Sequence, residues 1–391
     1  MIQIKDKSSC SGCHACYNIC PKQCINMQPD SEGFWYPVVD KQKCISCGRC
    51  KEVCPILKPS FQNANEKLEA FAAYCKDDEI RLKSSSGGIF TLLAAQILKS
   101  DGVVFGASFD DDFNVHHVAV KSIDKLEQLR GSKYTQSKIR NSYKQAKEYL
   151  EQGKTVLFTG TPCQISGLYA FLGKQYSNLY TQDLICHGVP SPKVWGKYLK
   201  YREKCEAQKI KEVAFRAKTE GWRQYVINIR FDNNDCYHHN HQQDIFMKGF
   251  LQNLYLRPSC HQCSFKGLQR QSDITLADFW GIEKTLPEMF DNKGTSLVLI
   301  HTQKGQKLWG IIQEEIKYES ANIDSAILDN PAAVKSVLPS SNRQYFFKSL
   351  NTANEPELFE KIVVKLVKPK LLLRLKMIIK RILQRLEKFF A

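Results

Sequence analysis

The chain has 391 residues, 43% of them hydrophobic, and a formal net charge of +16. This length predicts two or three domains with a substantial buried core. Half of the excess charge lies in residues 365–391, which hold nine Lys or Arg against one Glu, so the charge distribution argues against a nucleic-acid partner.

Two copies of the motif C-x-x-C-x-x-C-x-x-x-C-P dominate the first 58 residues. Eight cysteines at this spacing are typical of two [4Fe-4S] clusters, each held by three cysteines of one motif and the fourth of the other. We therefore predict a bacterial-type two-cluster ferredoxin domain, a small α+β unit, over residues 1–58. The ligands of its two clusters are predicted as Cys10, Cys13, Cys16 and Cys54 for one, and Cys44, Cys47, Cys50 and Cys20 for the other.

Two other uses of these cysteines are weaker. Zinc also binds C-x-x-C pairs, but it needs no third C-x-x-C step and no trailing C-P. Disulfides need an oxidising compartment, and the first residues lack the regions of a secretory signal. Cys24 lies outside both motifs, so we expect it to pack in the core rather than bind metal.

The next segment has the pattern of an α/β unit. Residues 60–68 are polar and predict a linker, after which 70–74 and 103–108 are predicted strands and 89–99 a predicted helix. The loop before that helix reads S-S-S-G-G (84–88). Backbone N–H groups and hydroxyls at a helix start favour a phosphate, although the same sequence also suits a plain helix cap.

A second α/β unit follows from residue 151. Predicted strands at 155–158 and 179–185 end close to Cys163 and Cys186, and a C-x-x-C pair, Cys260 and Cys263, precedes a predicted strand at 272–279. Two cysteines at strand ends and one C-x-x-C pair would complete a third [4Fe-4S] site. Buried structural cysteines with a zinc or redox pair remain the alternative.

Six short motifs occur in an order that resembles the beta subunit of coenzyme F420 hydrogenase/dehydrogenase, over about residues 66–320. They read S-S-S-G-G-I-F-T, R-G-S-K-Y, F-T-G-T-P-C-Q, D-L-I-C-H-G, C-x-x-C-x-F and D-I-T-L-A-D-F-W. The resemblance implies an FAD-binding α/β core distinct from the Rossmann fold, divided at about residue 150 (66–150 and 151–320), with a nearby [4Fe-4S] cluster.

The resemblance also implies which residues bind these groups. The third cluster would be held by Cys163, Cys186, Cys260 and Cys263. FAD would be held by Ser85, Ser86, Gly87 and Gly88, by Gly131, Ser132, Lys133 and Tyr134, and by Thr159, Gly160, Thr161 and Pro162.

Other polar groups are weaker candidates. Arg216 and Lys218 lie on an alternating stretch that would suit an anionic substrate or simple surface charge. His238, His239 and His241 are close in sequence, but alternation along a strand would divide them between two faces and argues against a metal site.

Residues 365–391 have the pattern of a basic amphipathic helix. Ten apolar side chains, from Leu371 to Phe390, fall on one face, and seven Lys or Arg fall on the other. Such a helix either lies on an anionic membrane surface or docks on protein, and it carries too much charge to span a bilayer.

These observations together predict a cytoplasmic iron-sulfur flavoprotein oxidoreductase, held at the inner membrane face if the tail binds lipid. It would pass electrons between a ferredoxin-type donor and an organic substrate, for which the family resemblance suggests a sugar-linked or polyprenyl-linked compound. No catalytic acid or base is assigned. The alternative is an electron-transfer adaptor that has clusters but no substrate chemistry.

Overall fold

The computed structural model of the protein describes residues 1–59, 68–352, 355–356 and 358–367. The predicted linker 60–68, except its last residue, and the predicted tail helix 365–391, except its first three residues, lie outside these ranges. Within them, no helix is both long and apolar enough to cross a membrane.

Thirteen strands are described. They are, in chain order, β1 (Ile25–Pro29), β2 (Trp35–Val39), β3 (Glu69–Cys75), β4 (Val103–Phe109), β5 (Val115–Val120), β6 (Val156–Thr159), β7 (Leu179–Leu184), β8 (Ile210–Ala217), β9 (Val226–Phe231), β10 (Cys236–Asn240), β11 (Ile274–Asp278), β12 (Ser296–Ile300) and β13 (Ile316–Ser320).

The described α-helices also number thirteen. They are, in chain order, α1 (Ala15–Ile19), α2 (Arg49–Glu52), α3 (Asp78–Leu82), α4 (Ile89–Lys99), α5 (Ser142–Glu151), α6 (Pro162–Leu172), α7 (Pro192–Glu206), α8 (Ile245–Leu251), α9 (Ile282–Thr285), α10 (Gln303–Ile312), α11 (Ile323–Leu328), α12 (Arg343–Thr352) and α13 (Leu358–Leu366).

The centre of the fold is an eight-stranded mixed sheet with the order β13-β3-β12-β11-β7-β6-β4-β5. Strands β4, β6, β7 and β11 run parallel, and the outer strands are antiparallel to their neighbours. Parallel strands buried on both faces consist of nearly continuous apolar residues, and β6 (V-L-F-T) is buried at all four positions. Its side chains alternate between the two helical layers.

The two layers differ in their helices. Val104 and Leu157 pack with α4 and α10 on one face, whereas Phe105 and Phe158 pack with α5 and α6 on the other. The three-layer core confirms the predicted α/β class.

A second core forms around the three-stranded antiparallel sheet β10-β9-β8. Helices α7, α8, α12 and α13 cover it with aromatic residues such as Trp195, Phe246 and Phe359. Phe34 and Tyr36 of the N-terminal unit belong to the same cluster. The N-terminal unit, residues 1–59, is the predicted small α+β unit, with one hairpin (β1-β2) and two short helices. It packs into the rest of the molecule.

Candidate functional site

Twelve cysteines gather in three groups, which we call sites I, II and III. Site I is Cys10, Cys13, Cys16 and Cys54. Site II is Cys20, Cys44, Cys47 and Cys50. Site III is Cys163, Cys186, Cys260 and Cys263. The first two lie in residues 1–59, the ferredoxin head, and the third lies in the α/β core.

Site II is a cavity formed entirely by the head. Its four cysteines line about 360 Å³ of empty space together with apolar groups such as Ile25 and Val39. The loop Cys44–Cys50 turns sharply at Ser46 and Gly48, which have φ of +55° and +79°. Gly48 suits this left-handed conformation because it has no Cβ. Cys20 comes from the first motif, so the crossed arrangement is present in the fold.

Site I combines three cysteines of the first motif with Cys54 of the second. Burial, with smaller contributions from the neighbouring Cys10 and Cys54, raises the pKa of Cys13 to about 12. The pKa of Cys16 is raised by burial and then by the charges of Cys13, Cys10 and Cys54. Buried thiols whose ionisation is disfavoured in this way need a cationic group beside them to become ligands. An iron-sulfur cluster supplies such a group.

The geometry also separates a cluster from a single ion. In the part of the chain that the structure describes, no three His, Cys, Asp or Glu side chains converge closely enough to hold one metal ion. At site II the four cysteines instead surround a cavity, as a group larger than one ion requires. A cavity of this size at site II favours a cluster over zinc, which binds four ligands around one ion.

Cys24 lies beside site II. It is 3% exposed, and its Sγ is 3.4 Å from the Sγ of Cys20. It packs in an apolar cluster with Ile2 and Ile25 and also lines the site II cavity.

Site III is assembled from three distant segments of the core. Cys163 begins α6 just after β6, and Cys186 lies two residues beyond β7. Because β6 and β7 are parallel neighbours, their carboxyl ends lie at the same edge of the sheet and bring these two cysteines together. Cys260 lies in a short helical turn after α8, Pro258–Gln262, and Cys263 follows it directly. All four line one cleft of about 900 Å³.

Hydrogen bonds hold the site III cysteines in place. Thr161 caps α6 through a capping box with Gln164, and its Oγ1 lies 3.1 Å from the Sγ of Cys163. The N–H of Val189 donates to the Sγ of Cys260 at 3.5 Å, and the N–H of Cys263 donates to Ser336 Oγ at 2.9 Å. Burial raises the pKa of Cys260 to about 12, so this thiol also needs a cationic group beside it in order to ionise.

Two cations line the site III cleft. Lys266 donates through its Nζ to the backbone carbonyls of Cys186 and Ala332, the latter at 2.7 Å. Arg270 lies 3.4 Å from the buried carboxylate of Asp183. The charge of Lys266 lowers the pKa of Cys186, although burial raises it more. A cluster held by four thiolates is anionic, and these cations would compensate its charge.

The ferredoxin head forms one side of the same cleft. Asp6, Ser8, Ser9, Ser11 and Ile56, which flank Cys10 and Cys54, line it together with the core cysteines. Site I therefore lies next to site III. Cys13 also packs on α6, since a Cβ built on Gly167 would lie 2.9 Å from the Cβ of Cys13.

Arg257 joins the head to the core. It is fully buried, and its Nε donates to the carbonyl of Cys10 at 2.8 Å while its Nη2 donates to the carbonyl of Trp35 at 3.0 Å. Its guanidinium lies 4.2 Å from the ring centroid of Tyr36. The carbonyl of Arg257 accepts the N–H of Cys260 at 2.9 Å. One residue thus contacts a site I cysteine and a site III cysteine.

The first two predicted flavin segments meet in the structure. The N–H and the Oγ of Ser132 donate to Ser85 Oγ at 2.8 and 2.9 Å, which links the 84–88 loop to the 131–134 loop. Gly131 has φ of +75° and open space where a Cβ would be. Burial lowers the pKa of Lys133, in the same loop, to about 8.

Buried cations support these loops from β8. Arg216 forms a bidentate ion pair with Asp278 at 2.9 Å and donates to Tyr134 Oη and to the carbonyl of Ser85, both at 3.2 Å. Lys218 donates to the carbonyls of Arg81 and Lys293, both at 2.7 Å, and to that of Ser86. Burial lowers the pKa of Lys218 to about 7. Both residues are under 10% exposed, so they are not simple surface charges.

These loops fit a dinucleotide cofactor in their donor chemistry. The Nε of Arg216 is buried and has no hydrogen-bond partner among the residues that the structure describes, and the same is true of the Nε of Arg130 beside Gly131. Unsatisfied buried N–H groups cost free energy unless a ligand accepts from them, and a pyrophosphate is such an acceptor.

The third predicted flavin segment lies elsewhere. Thr161 and Pro162 line the site III cleft, and the carbonyl of Thr159 is 3.0 Å from His117 Nε2. The structure thus places this segment at the cysteines of site III, while the other two segments form the Ser85–Ser132 contact.

The three clustered histidines do not converge. The Nε2 of His238 is 3.2 Å from Thr219 Oγ1, His239 stacks on Tyr237, and His241 stacks on Tyr225. Sequence patterns missed Arg257, Lys266 and Arg270, because single cations outside any motif give no signal. Only the position of Arg257, three residues before Cys260, hinted at its role.

These features define an iron-sulfur electron-transfer protein of the oxidoreductase type. The chain belongs to the coenzyme F420 hydrogenase/dehydrogenase beta subunit family: the N-terminal part of the family profile matches residues 70–143 and the C-terminal part matches residues 153–326. A 4Fe-4S dicluster domain matches residues 9–56. The predicted family and iron-sulfur character are confirmed.

One solved structure among those similar to the chain is the F420-reducing [NiFe] hydrogenase complex from Methanosarcina barkeri, studied as a xenon derivative. The match has 18% sequence identity and a TM-score of 0.46, and it covers 72% of this chain and 91% of that one. No curated protein sequence matches the chain.

Proposed function

We propose that the chain is an iron-sulfur flavoprotein oxidoreductase that exchanges electrons between a ferredoxin-type protein and an organic substrate, with [4Fe-4S] clusters at sites I, II and III and FAD at the Ser85–Ser132 loops. One observation carries the proposal: the cleft of the four core cysteines is lined by the residues that flank Cys10 and Cys54 of site I. An electron at the head is therefore adjacent to the core.

Each group of residues has a separate role in the proposed function. The twelve cysteines bind the clusters, and Lys266 and Arg270 compensate negative charge at site III. Arg216 orients Tyr134 and the carbonyl of Ser85, so it fixes the loops that would hold the FAD pyrophosphate. FAD, when bound, supplies the link between two-electron hydride chemistry and single electrons.

For the substrate we propose a sugar-linked or polyprenyl-linked compound, and for the location the cytoplasmic face of a membrane. The support for both is the basic amphipathic pattern of residues 365–391 together with the family membership. A truncation after Val364 tests the membrane contact: loss of binding to anionic liposomes is the expected result, and unchanged binding refutes it.

The central test is the cofactor content of anaerobically purified protein. We expect about twelve irons per chain, four for each of three clusters, and one FAD. An iron content of about eight per chain would show that site III holds no cluster. Protein that holds all its iron but no flavin would instead be an electron-transfer adaptor.

Two variants test which residues bind the iron of site III and the flavin. Cys263→Ser should lower the iron to about eight per chain and keep the flavin, because the head holds the other two clusters. Arg216→Met should lower the flavin content and keep the iron. Cys236→Ser is the matched control, since Cys236 is exposed on β10 and belongs to none of the three sites.

A further inference from the structure

Of the three cysteine sites, site I adjoins site III, whereas site II belongs to the head alone. Site I shares the lining of the site III cleft through Ser9, Ser11 and Ile56. The site II cavity, in contrast, is lined only by residues of the head, from Met1 to Cys50. Cys47 is solvent-exposed, whereas the site III cysteines are at least half-buried. Because electron transfer slows steeply with distance, site II is where an external protein would exchange electrons.

The surface around site II has an apolar centre. Ile45, between Cys44 and Cys47, is 58% exposed, and Val38 and Met1 are 45% and 40% exposed. Ile45 and Met1 also line the site II cavity, so this apolar patch lies directly over the cysteines. Apolar groups at the centre of a patch with polar groups around them are the usual anatomy of a protein interface.

The groups around this centre are basic. Five exposed cations, Lys22, Lys41, Lys43, Arg49 and Lys51, lie on the segments that form site II. Asp40 is the one carboxylate in residues 38–51, and it lies 3.5 Å from Lys43. Of the other head carboxylates, Asp6 lines the site III cleft and Glu32 pairs with Arg343, while Asp30 pairs with Lys7 and the exposed Glu52 pairs with Lys58. The surface around site II therefore carries an excess of positive charge.

We propose that this surface, the site II face, is the docking site of an acidic redox protein that delivers or accepts one electron at a time. The inference rests on the proposed function in that site II must hold a cluster. In the step one electron moves between the reduced and the oxidised partner, so one is oxidised as the other is reduced, and no bond or proton changes. Complementary charge speeds the encounter of such partners, and redox complexes of this kind are small and transient.

The site II face could instead bind an anionic membrane, which shares the same charge preference. An acidic protein is favoured because the apolar centre lies beside the exposed Cys47, over a site that would exchange electrons, and a lipid headgroup exchanges none. The membrane is therefore treated as an outcome of the test.

The test compares two double charge reversals in the full chain. Lys41→Glu/Lys51→Glu changes the site II face without touching the residues that line its cavity. Lys99→Glu/Lys307→Glu is the control, because these exposed residues lie on α4 and α10, which pack together on the large sheet. The probe is an acidic plant-type [2Fe-2S] ferredoxin. Two quantities are measured at low and high salt: binding of the oxidised probe and the second-order rate of electron transfer from the reduced probe.

We expect the site II variant to lower both the affinity and the rate constant about tenfold at low ionic strength, and the difference to disappear at high salt. The rate with reduced methyl viologen, a small cation, should not fall. The control should match the natural protein. Equal ferredoxin binding and rates in both variants would overturn the proposal, as would loss of binding to anionic vesicles alone. Protein that passes the docking test but holds no flavin would refute the proposed function and leave the docking surface standing.

Discussion

Sites II and III reach the same ligand set by opposite routes. Site II takes its cysteines from a segment of 31 residues, Cys20 to Cys50, in one small domain, and one of them, Cys47, is exposed to solvent. Site III takes them from the ends of two parallel strands and a later turn, and its cleft is complete only when the head is in place. A site whose ligands are close in sequence tolerates changes elsewhere in the molecule. A site assembled from distant segments depends on every contact that positions those segments.

The largest expected effect on stability comes from removing the hydrogen bonds of Arg257 between the head and the core. Arg257→Met should destabilise the protein by ~3 kcal/mol, because it leaves the carbonyls of Cys10 and Trp35 buried without a donor. Iron at site III should be lost before iron at site II. The measurements are chemical denaturation and iron content after mild urea treatment.

A control for Arg257 is Arg223→Met. Arg223 is 39% exposed and pairs with Glu283, so its loss should cost less than about 1 kcal/mol. If Arg257→Met empties sites II and III together, the contrast between a local and an assembled site is wrong.

A smaller effect is expected where α6 meets the head. Gly167→Ala should destabilise by about 1–3 kcal/mol, because its Cβ would lie 2.9 Å from the Cβ and 3.1 Å from the Sγ of Cys13. Gly196→Ala in α7 has open space around its Cβ and should stabilise by about 0.5–1 kcal/mol. Thermal unfolding of both variants measures the difference, and a stabilising Gly167→Ala would show that the head does not pack closely on α6.

The smallest expected effect on stability concerns the start of α6, beside site III. Thr161→Ala removes the capping box of α6 and should cost about 1 kcal/mol. Asn322→Ala, at the start of α11, should cost a similar amount. Only Thr161→Ala should alter the visible spectrum of site III, because Thr161 Oγ1 lies 3.1 Å from Cys163 Sγ. Identical spectra in both variants would mean that Thr161 acts as a cap alone.

Local patterns predicted the local structure well. The predicted helix 89–99 is α4 with the same bounds, and the predicted strand 103–108 is β4, one residue longer. Cysteine spacing predicted that Cys20 of the first motif joins three cysteines of the second, and these four line one cavity.

Long-range packing was harder to predict. Residue patterns left site III open between a cluster and separate structural cysteines, since only the parallel pairing of β6 and β7 brings Cys163 near Cys186. The contact of the head with the core depends on Arg257, and its partners Cys10 and Trp35 are more than 200 residues away in sequence. Periodicity describes one element at a time, so it cannot show such a contact.

The close contact around Gly12 has a consequence for protein engineering. A Cβ at Gly12, which has φ of +69°, would lie 2.5 Å from Gln136 Nε2 and 3.0 Å from Arg257 Cζ. Glu32, also in the head, pairs with Arg343 of α12. The ferredoxin unit is therefore not an interchangeable module. A chimera that replaces it with another ferredoxin must have a glycine at the position of Gly12 and a carboxylate at that of Glu32. Without them the new domain will not pack against the core.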